Sequence, residues 1–205
     1  MKKRILSIVL CLVMVFSLLP FTASAASAIP INEETFPDPV FREYVLKIVG
    51  SSVLTEEKAQ QIEVLDVSDD NIKEVLGKRD PITSLMGIRY LNYVKDLNCS
   101  GQELKKTLNL EQNSRVEKLN CSGNQLTGLW FHKGSSLKYL TCSVNEFTAL
   151  DLSKCSELTE LSCGSNKLTS LDLSANTKLQ KISAGSNKLT ALDTRNLPEL
   201  TYLNL

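Results

Sequence analysis

Leu158–Lys178 reads "LTELSCGSNKLTSLDLSANTK", and the same 21-residue spelling recurs on both sides of it. Val116, Leu137, Leu158, Leu179 and Leu200 stand 21 residues apart, and Val94 opens an earlier unit one residue longer. Inside the units Leu97, Leu119, Leu140, Leu161, Ile182 and Leu203 form one column. A second column holds Cys99, Cys121, Cys142, Cys163, Ala184 and Leu205, and a third holds Gln102, Asn124, Asn145, Asn166 and Asn187. A fourth holds Leu104, Leu126, Phe147, Leu168 and Leu189. Self-similarity at a short fixed period marks stacked coils, because one coil alone cannot bury its apolar face.

Alternation across "ELSC" sends Leu161 and Cys163 inward and Glu160 and Ser162 outward, as a strand requires. Each coil therefore adds one short parallel strand to a ladder. The asparagine stands where the chain leaves the strand, where its amide can pair with turn backbone that a buried bend would orphan. Leu171 and Leu173 make a second inward pair in "LTSLDLSANTK". Ten residues with this alternation predict an extended segment on the convex side rather than a helix.

The columns spell L-x-x-L-x-L-x-x-N-x-L, with cysteine in the third leucine position. Residues 62–205 thus resemble the secreted leucine-rich repeat proteins of bacteria, most closely the cysteine-containing repeats of the internalin J type. The resemblance implies a mainly β, right-handed horseshoe solenoid that binds proteins or surface glycans, often in adhesion. "ITSLMGIRYL" (Ile82–Leu91) is similar to the first repeat of that family, and "KEVLGKRDP" (Lys73–Pro81) reads as a surface loop inserted before it.

Five cysteines follow Cys11, and in a secreted chain disulfides are the ordinary expectation. The ladder argues otherwise. Parallel strands hold equivalent Cβ atoms about 4.8 Å apart, whereas a disulfide needs about 3.8 Å. Cys99, Cys121, Cys142 and Cys163 are read as structural, buried thiols that pack as small apolar groups. A linear ladder also cannot make a zinc tetrahedron, so no metal is expected there. Cys155 falls in the turn position that Asn176 occupies one unit later, and is expected as a packed or half-exposed thiol.

Residues 1–28 carry Lys2, Lys3 and Arg4, an apolar run from Ile5 to Leu19, and the small residues Ala23, Ser24 and Ala25. That order is a secretory signal peptide, with a retained anchor as the alternative. Its removal turns a balance of 23 basic and 23 acidic residues slightly acidic. No basic tract remains to favour nucleic acid, and no second apolar run is long enough for a membrane span.

Residues 29–61 are not a repeat. Val40, Phe41, Tyr44, Val45 and Ile48 form one helical stripe after Pro39, and Thr55 caps a second helix that opens with Glu56 and Glu57. This pair covers the first coil. It is similar to the EF-hand-like helix–loop–helix that precedes such repeats. Lys47, Val49, Ser51 and Lys58, however, stand where a calcium loop needs oxygen ligands, so the cap is expected to bind no calcium. At the other end "LTYLNL" stops directly after a strand, and the repeat domain is expected to be truncated at Leu205.

No catalytic constellation stands out, and neither a catalytic residue nor a cofactor is expected. His132, the single histidine, lies beside Trp130 in "GLWFHKGSS", and Asp151, Asp172 and Asp193 recur once per coil at the turns. Two columns point out of the concave strands. Asn98, Asn120, Thr141, Ser162, Ser183 and Asn204 are small and polar. Asp96, Lys118, Tyr139, Glu160, Lys181 and Tyr202 vary in charge and include two tyrosines, which are favoured contact residues. The second column is the candidate binding face, with a merely solvated face as the competing reading. Trp130 and His132 form an alternative convex patch. The ligand class is a protein or surface glycan; a structural spacer or targeting part of a longer surface protein or enzyme is the alternative.

Overall fold

The computed structural model describes residues 28–78 and 80–205; the signal-peptide reading lies outside the described residues, apart from Ala28. The chain enters through β1 (Ile29–Pro30), α1 (Pro39–Val49), β2 (Val53–Leu54) and α2 (Glu56–Gln60). Then come β3 (Val64–Asp66), α3 (Asp69–Leu76), a 3-10 turn (Ile88–Tyr90), β4 (Asp96–Asn98), β5 (Lys105–Leu110), β6 (Lys118–Asn120) and β7 (Gln125–Phe131). The last four strands are β8 (Tyr139–Thr141), β9 (Glu160–Ser162), β10 (Lys181–Ser183) and β11 (Tyr202–Asn204).

Seven strands form one parallel sheet in the order β11-β10-β9-β8-β6-β4-β3. From β6 onward each step is 21 residues, and equivalent columns pair directly, as in Leu140↔Leu161↔Ile182. The protein is therefore a parallel β-solenoid of leucine-rich repeat type, as the columns imply. The inward leucines and cysteines, together with Leu126, Phe147 and Leu168, form one continuous buried core. Each fully buried leucine contributes about 1.5–3 kcal/mol, and those contributions exist only when a neighbouring coil is in place. At the outer strand β11 the same columns are open: Leu205 is 61% exposed.

The turn after each strand is fixed by one amide. Asn145 Nδ2 donates to Cys121 O at 2.9 Å and to Cys142 O at 3.2 Å, while its Oδ1 accepts from Leu126 N–H at 3.0 Å. Asn124, Asn166 and Asn187 repeat this arrangement, each tying its own coil to the one before. Gln102 does the same in the first long unit, donating to Val67 O and accepting from Ile82 N–H. The residue just before this position takes a left-handed φ where the coil bends: Gly101, Gly123, Val144, Ser165 and Ser186.

All five cysteines after Cys11 are buried free thiols, including Cys155, so the half-exposed alternative for that residue is excluded. Its place in the turn column is as read: Cys155 O accepts from Asn176 Nδ2 at 2.7 Å. Burial pushes the Cys121 thiol up to about 12 and those of Cys155 and Cys163 to about 11. Cys99 and Cys142 are raised well above the ordinary value for the same reason. Thiolate is the reactive form, so these groups are shielded twice, by access and by ionisation. Residues 29–205 are expected to give almost no reaction with a thiol-specific chromogenic reagent while folded, and five thiols in denaturant without reductant. A denatured count of three or one would show disulfides and contradict the ladder.

Two readings need correction. In α1 the stripe ends on buried Val49, not on Ile48, which is exposed. Val49 lies one helical turn beyond Val45 and so continues its face. "KEVLGKRDP" is not wholly a loop, because Lys73–Leu76 is the second half of α3. Asp69 and Asp70 favour its first turn, and Gly77 ends it with φ 71° and an N–H bond to Lys73 O. In the cap, Thr55 Oγ1 accepts from Lys58 N–H as expected. Lys58 Nζ lies 3.1 Å from Val49 O and Lys47 Nζ donates to Val75 O, so the two loop lysines are spent on backbone carbonyls.

Candidate binding face

Strand register brings the candidate column into one line. Asp96 pairs with Lys118, Lys118 with Tyr139, Tyr139 with Glu160, Glu160 with Lys181 and Lys181 with Tyr202. The sequence columns overlooked Val64, which extends this line on β3 opposite Asp96 and is exposed. Its signal was present, since "VLDVS" aligns with "DLNCS", but the intervening insertion hides the period.

The charges along the line neutralise each other between adjacent coils. Lys118 Nζ is 3.2 Å from Asp96 Oδ2, and Lys181 Nζ is 2.8 Å from Glu160 Oε1. The pair with Glu160 holds the Lys181 ammonium above its usual range. Tyr139 and Tyr202 are 44% and 52% exposed and flank this second ion pair. Together they bound a shallow depression of about 190 Å³, floored by the small side chains Thr141, Ser162 and Ser183. Aromatic walls, hydroxyls and one charge pair can take stacking and hydrogen bonds at once.

The small polar column has a second task in the first coils. Asn98 Oδ1 accepts from Ser100 N–H, and Asn120 Oδ1 from Ser122 N–H, both at 3.2 Å. Those asparagines are held by the turn, whereas Thr141, Ser162 and Ser183 line the depression.

The convex patch is separate. β5 and β7 form a two-stranded parallel sheet there, and Trp130 projects from β7 with 55% exposure. His132 Nδ1 lies 2.7 Å from Glu111 O, and the residue is exposed. Asn109, Trp130, Asp151, Asp172 and Asp193 share one 21-residue column. Its carboxylates accept turn N–H groups, Asp151 from Ser153 at 3.0 Å, Asp172 from Ser174 at 2.9 Å and Asp193 from Arg195 at 3.0 Å. The Arg195 guanidinium and N–H hold Asp193 down at about 2, and bonds to Ser153 and Ser174 lower Asp151 and Asp172.

A carboxyl lowered by folding adds stability above its unfolded value, near 3.9, and loses it as pH falls through the folded value. The last coils should therefore loosen as pH drops from about 4 towards about 2. Two coils before Asp151, Asn109 Oδ1 accepts in the same way from Glu111 N–H at 2.9 Å, without titrating. Replacing Asp151, Asp172 and Asp193 together by Asn should flatten the acid limb of the melting profile. An unchanged limb would remove these groups from the account.

Among the described residues no three His, Cys, Asp or Glu side chains converge as a metal site, and no helix is long and apolar enough to cross a membrane.

No family model and no curated protein matches the chain. Among solved structures it is similar to the functional domain of InlJ from Listeria monocytogenes, described as including a cysteine ladder. The TM-score is 0.55 at 24% identity, over 89% of this chain and 48% of that one. It is also similar to a leucine-rich repeat protein of Leptospira interrogans, with a TM-score of 0.53 at 25% identity, over 58% of this chain and 33% of that one. The chain thus spans about half the length of the first and a third of the second. The shared feature is the leucine-rich repeat solenoid.

Proposed function

We propose that the protein is a secreted or cell-surface binding module of adhesion type, whose concave face takes a protein or surface-glycan ligand. The observation that carries this reading is the depression between Tyr139 and Tyr202, where the ladder's outward column is aromatic and exposed around a single charge pair. Exposed tyrosines add contact area at low entropic cost. An array of extracellular proteins and oligosaccharides probed with residues 29–205 should give a saturable ligand. Bound ligand should slow hydrogen exchange in β8–β11. Protection confined to β5 and β7 would move the site to Trp130 and His132.

A spacer within a longer surface protein or enzyme is the second reading. Its support is the charge pattern: Glu63–Lys95, Asp96–Lys118, Glu117–Lys138, Glu157–Lys178 and Glu160–Lys181 all close between adjacent coils. A surface that satisfies its own charges suits a rod as well as a receptor. An empty array would favour it.

A further inference from the structure

On the convex side the segment Thr83–Arg89 runs beside Leu104–Gln112 of the next coil, with a cavity of about 340 Å³ between them. The two segments are fastened at both ends. Glu103 N–H donates to Ile82 O at 3.1 Å, and Asn113 Nδ2 donates to Ile88 O at 3.0 Å. Between these points no backbone hydrogen bond joins them among the described residues. β5 pairs with β7 alone, so its other edge faces the gap; Leu110 O is taken by Asn113 N–H at 3.0 Å and Lys106 O by Thr127 Oγ1 at 3.2 Å, and among the described residues no hydrogen bond crosses the gap from β5 to Thr83–Arg89.

The floor is core. Leu85, Leu108 and Leu126 line it although each is buried, and Met86 stands at the lip, 61% exposed. The rim is cationic. Arg89 and Lys105 have no carboxylate partner among the described ion pairs. Glu111, the acidic residue on the rim, is turned to Lys154 at 3.7 Å. The Arg89 guanidinium lies over the Tyr90 ring at 4.8 Å and donates from one nitrogen to Tyr90 OH at 2.8 Å, which holds the head group and leaves its other donors available.

We propose that this slot binds a short, extended, acidic peptide segment of a partner protein. Its backbone pairs with the free edge of β5, one apolar side chain enters the leucine floor, and a carboxylate meets Lys105 and Arg89. The volume is at the small end of ligand pockets, about 300–1,000 Å³, and the closed ends limit the occupant to a chain terminus or loop tip. A hydrocarbon ligand would fill the floor but leave the strand edge unpaired, whereas a peptide satisfies both. The positive rim selects an acidic peptide over a basic one. This site is separate from the concave depression.

The test uses the full chain, isotopically labelled, titrated with the acetylated and amidated tetrapeptide TVTD. Amide shifts should saturate and be confined to residues 83–89 and 104–112. The same peptide N-methylated on alternate backbone nitrogens should bind at least about fivefold more weakly, because strand pairing needs those donors. Lys105→Glu, an exposed change, should weaken the parent peptide by about fivefold without moving the melt. The double variant Tyr139→Ala with Tyr202→Ala should bind it unchanged. Absence of saturation at millimolar peptide, shifts outside these segments, or equal binding of the N-methylated peptide would each overturn the proposal.

Discussion

Asn145→Leu is expected to destabilise the protein by about 2–4 kcal/mol, although leucine is apolar and the site is buried. The change strands the Leu126 N–H outright and takes one of two amide donors from each of the Cys121 and Cys142 carbonyls, which keep Asn124 Nδ2 and Asn166 Nδ2. The buried orphan costs about 1–3 kcal/mol and each lost second bond about 0.5–1.5 kcal/mol, which together exceed what the added methyl groups recover. Because neighbouring coils stabilise each other, the damage should spread as faster hydrogen exchange from Leu119 through Leu161 rather than stay at one turn. Asn187→Leu should cost less, since Asn187 is only half-buried near the open end of the ladder. Chemical denaturation measures both. A loss under about 1 kcal/mol for Asn145→Leu would mean that water replaces the amide and that the ladder does not join the coils.

Asp38→Ala is expected to cost about 3 kcal/mol and to detach the cap from the first repeat. Asp38 is buried and uses both oxygens. Oδ1 accepts from Val40 and Phe41 N–H at 3.0 and 2.9 Å, capping α1. Oδ2 accepts from Thr83 N–H at 2.8 Å, Thr83 Oγ1 at 2.9 Å and Ser84 N–H at 3.2 Å. Helix capping alone is worth about 0.5–2 kcal/mol, and bonds to a charged acceptor add about 1.5–3 kcal/mol. Asp38→Asn separates the two roles. Asparagine caps a helix as well as aspartate, but either amide orientation turns an NH₂ group onto backbone N–H donors. Asn should therefore fail nearly as badly as Ala. Full stability of Asp38→Asn would reduce Asp38 to a helix cap.

Repetition made the ladder legible. Leu161, Cys163 and Asn166 are each one of several equivalents, so column identity reported inward or turn position before any packing was known. The concave column was readable for the same reason, and its members do fall into register. Features that occur once were not readable. Asp38 clamps a segment 45 residues away, and nothing local distinguishes its second role from capping. In α3 the apolar pattern is short, although Asp69, Asp70 and Gly77 carried the helix signals. The slot beside β5 depends on how two coils fail to pair, which no single residue announces.

The central claim is that the concave tyrosines are free to bind because they contribute little to the fold. Tyr139 and Tyr202 are each about half exposed; β8 is anchored by buried Leu140, and β11 is held by its backbone pairing with β10. The direct test is the double variant Tyr139→Ala with Tyr202→Ala, measured for thermal melting and for affinity to the ligand found on the array. The account predicts a melt shifted by no more than about 2 °C and affinity reduced at least about tenfold. Unchanged affinity with an unchanged melt would contradict it and leave the concave face a solvated surface.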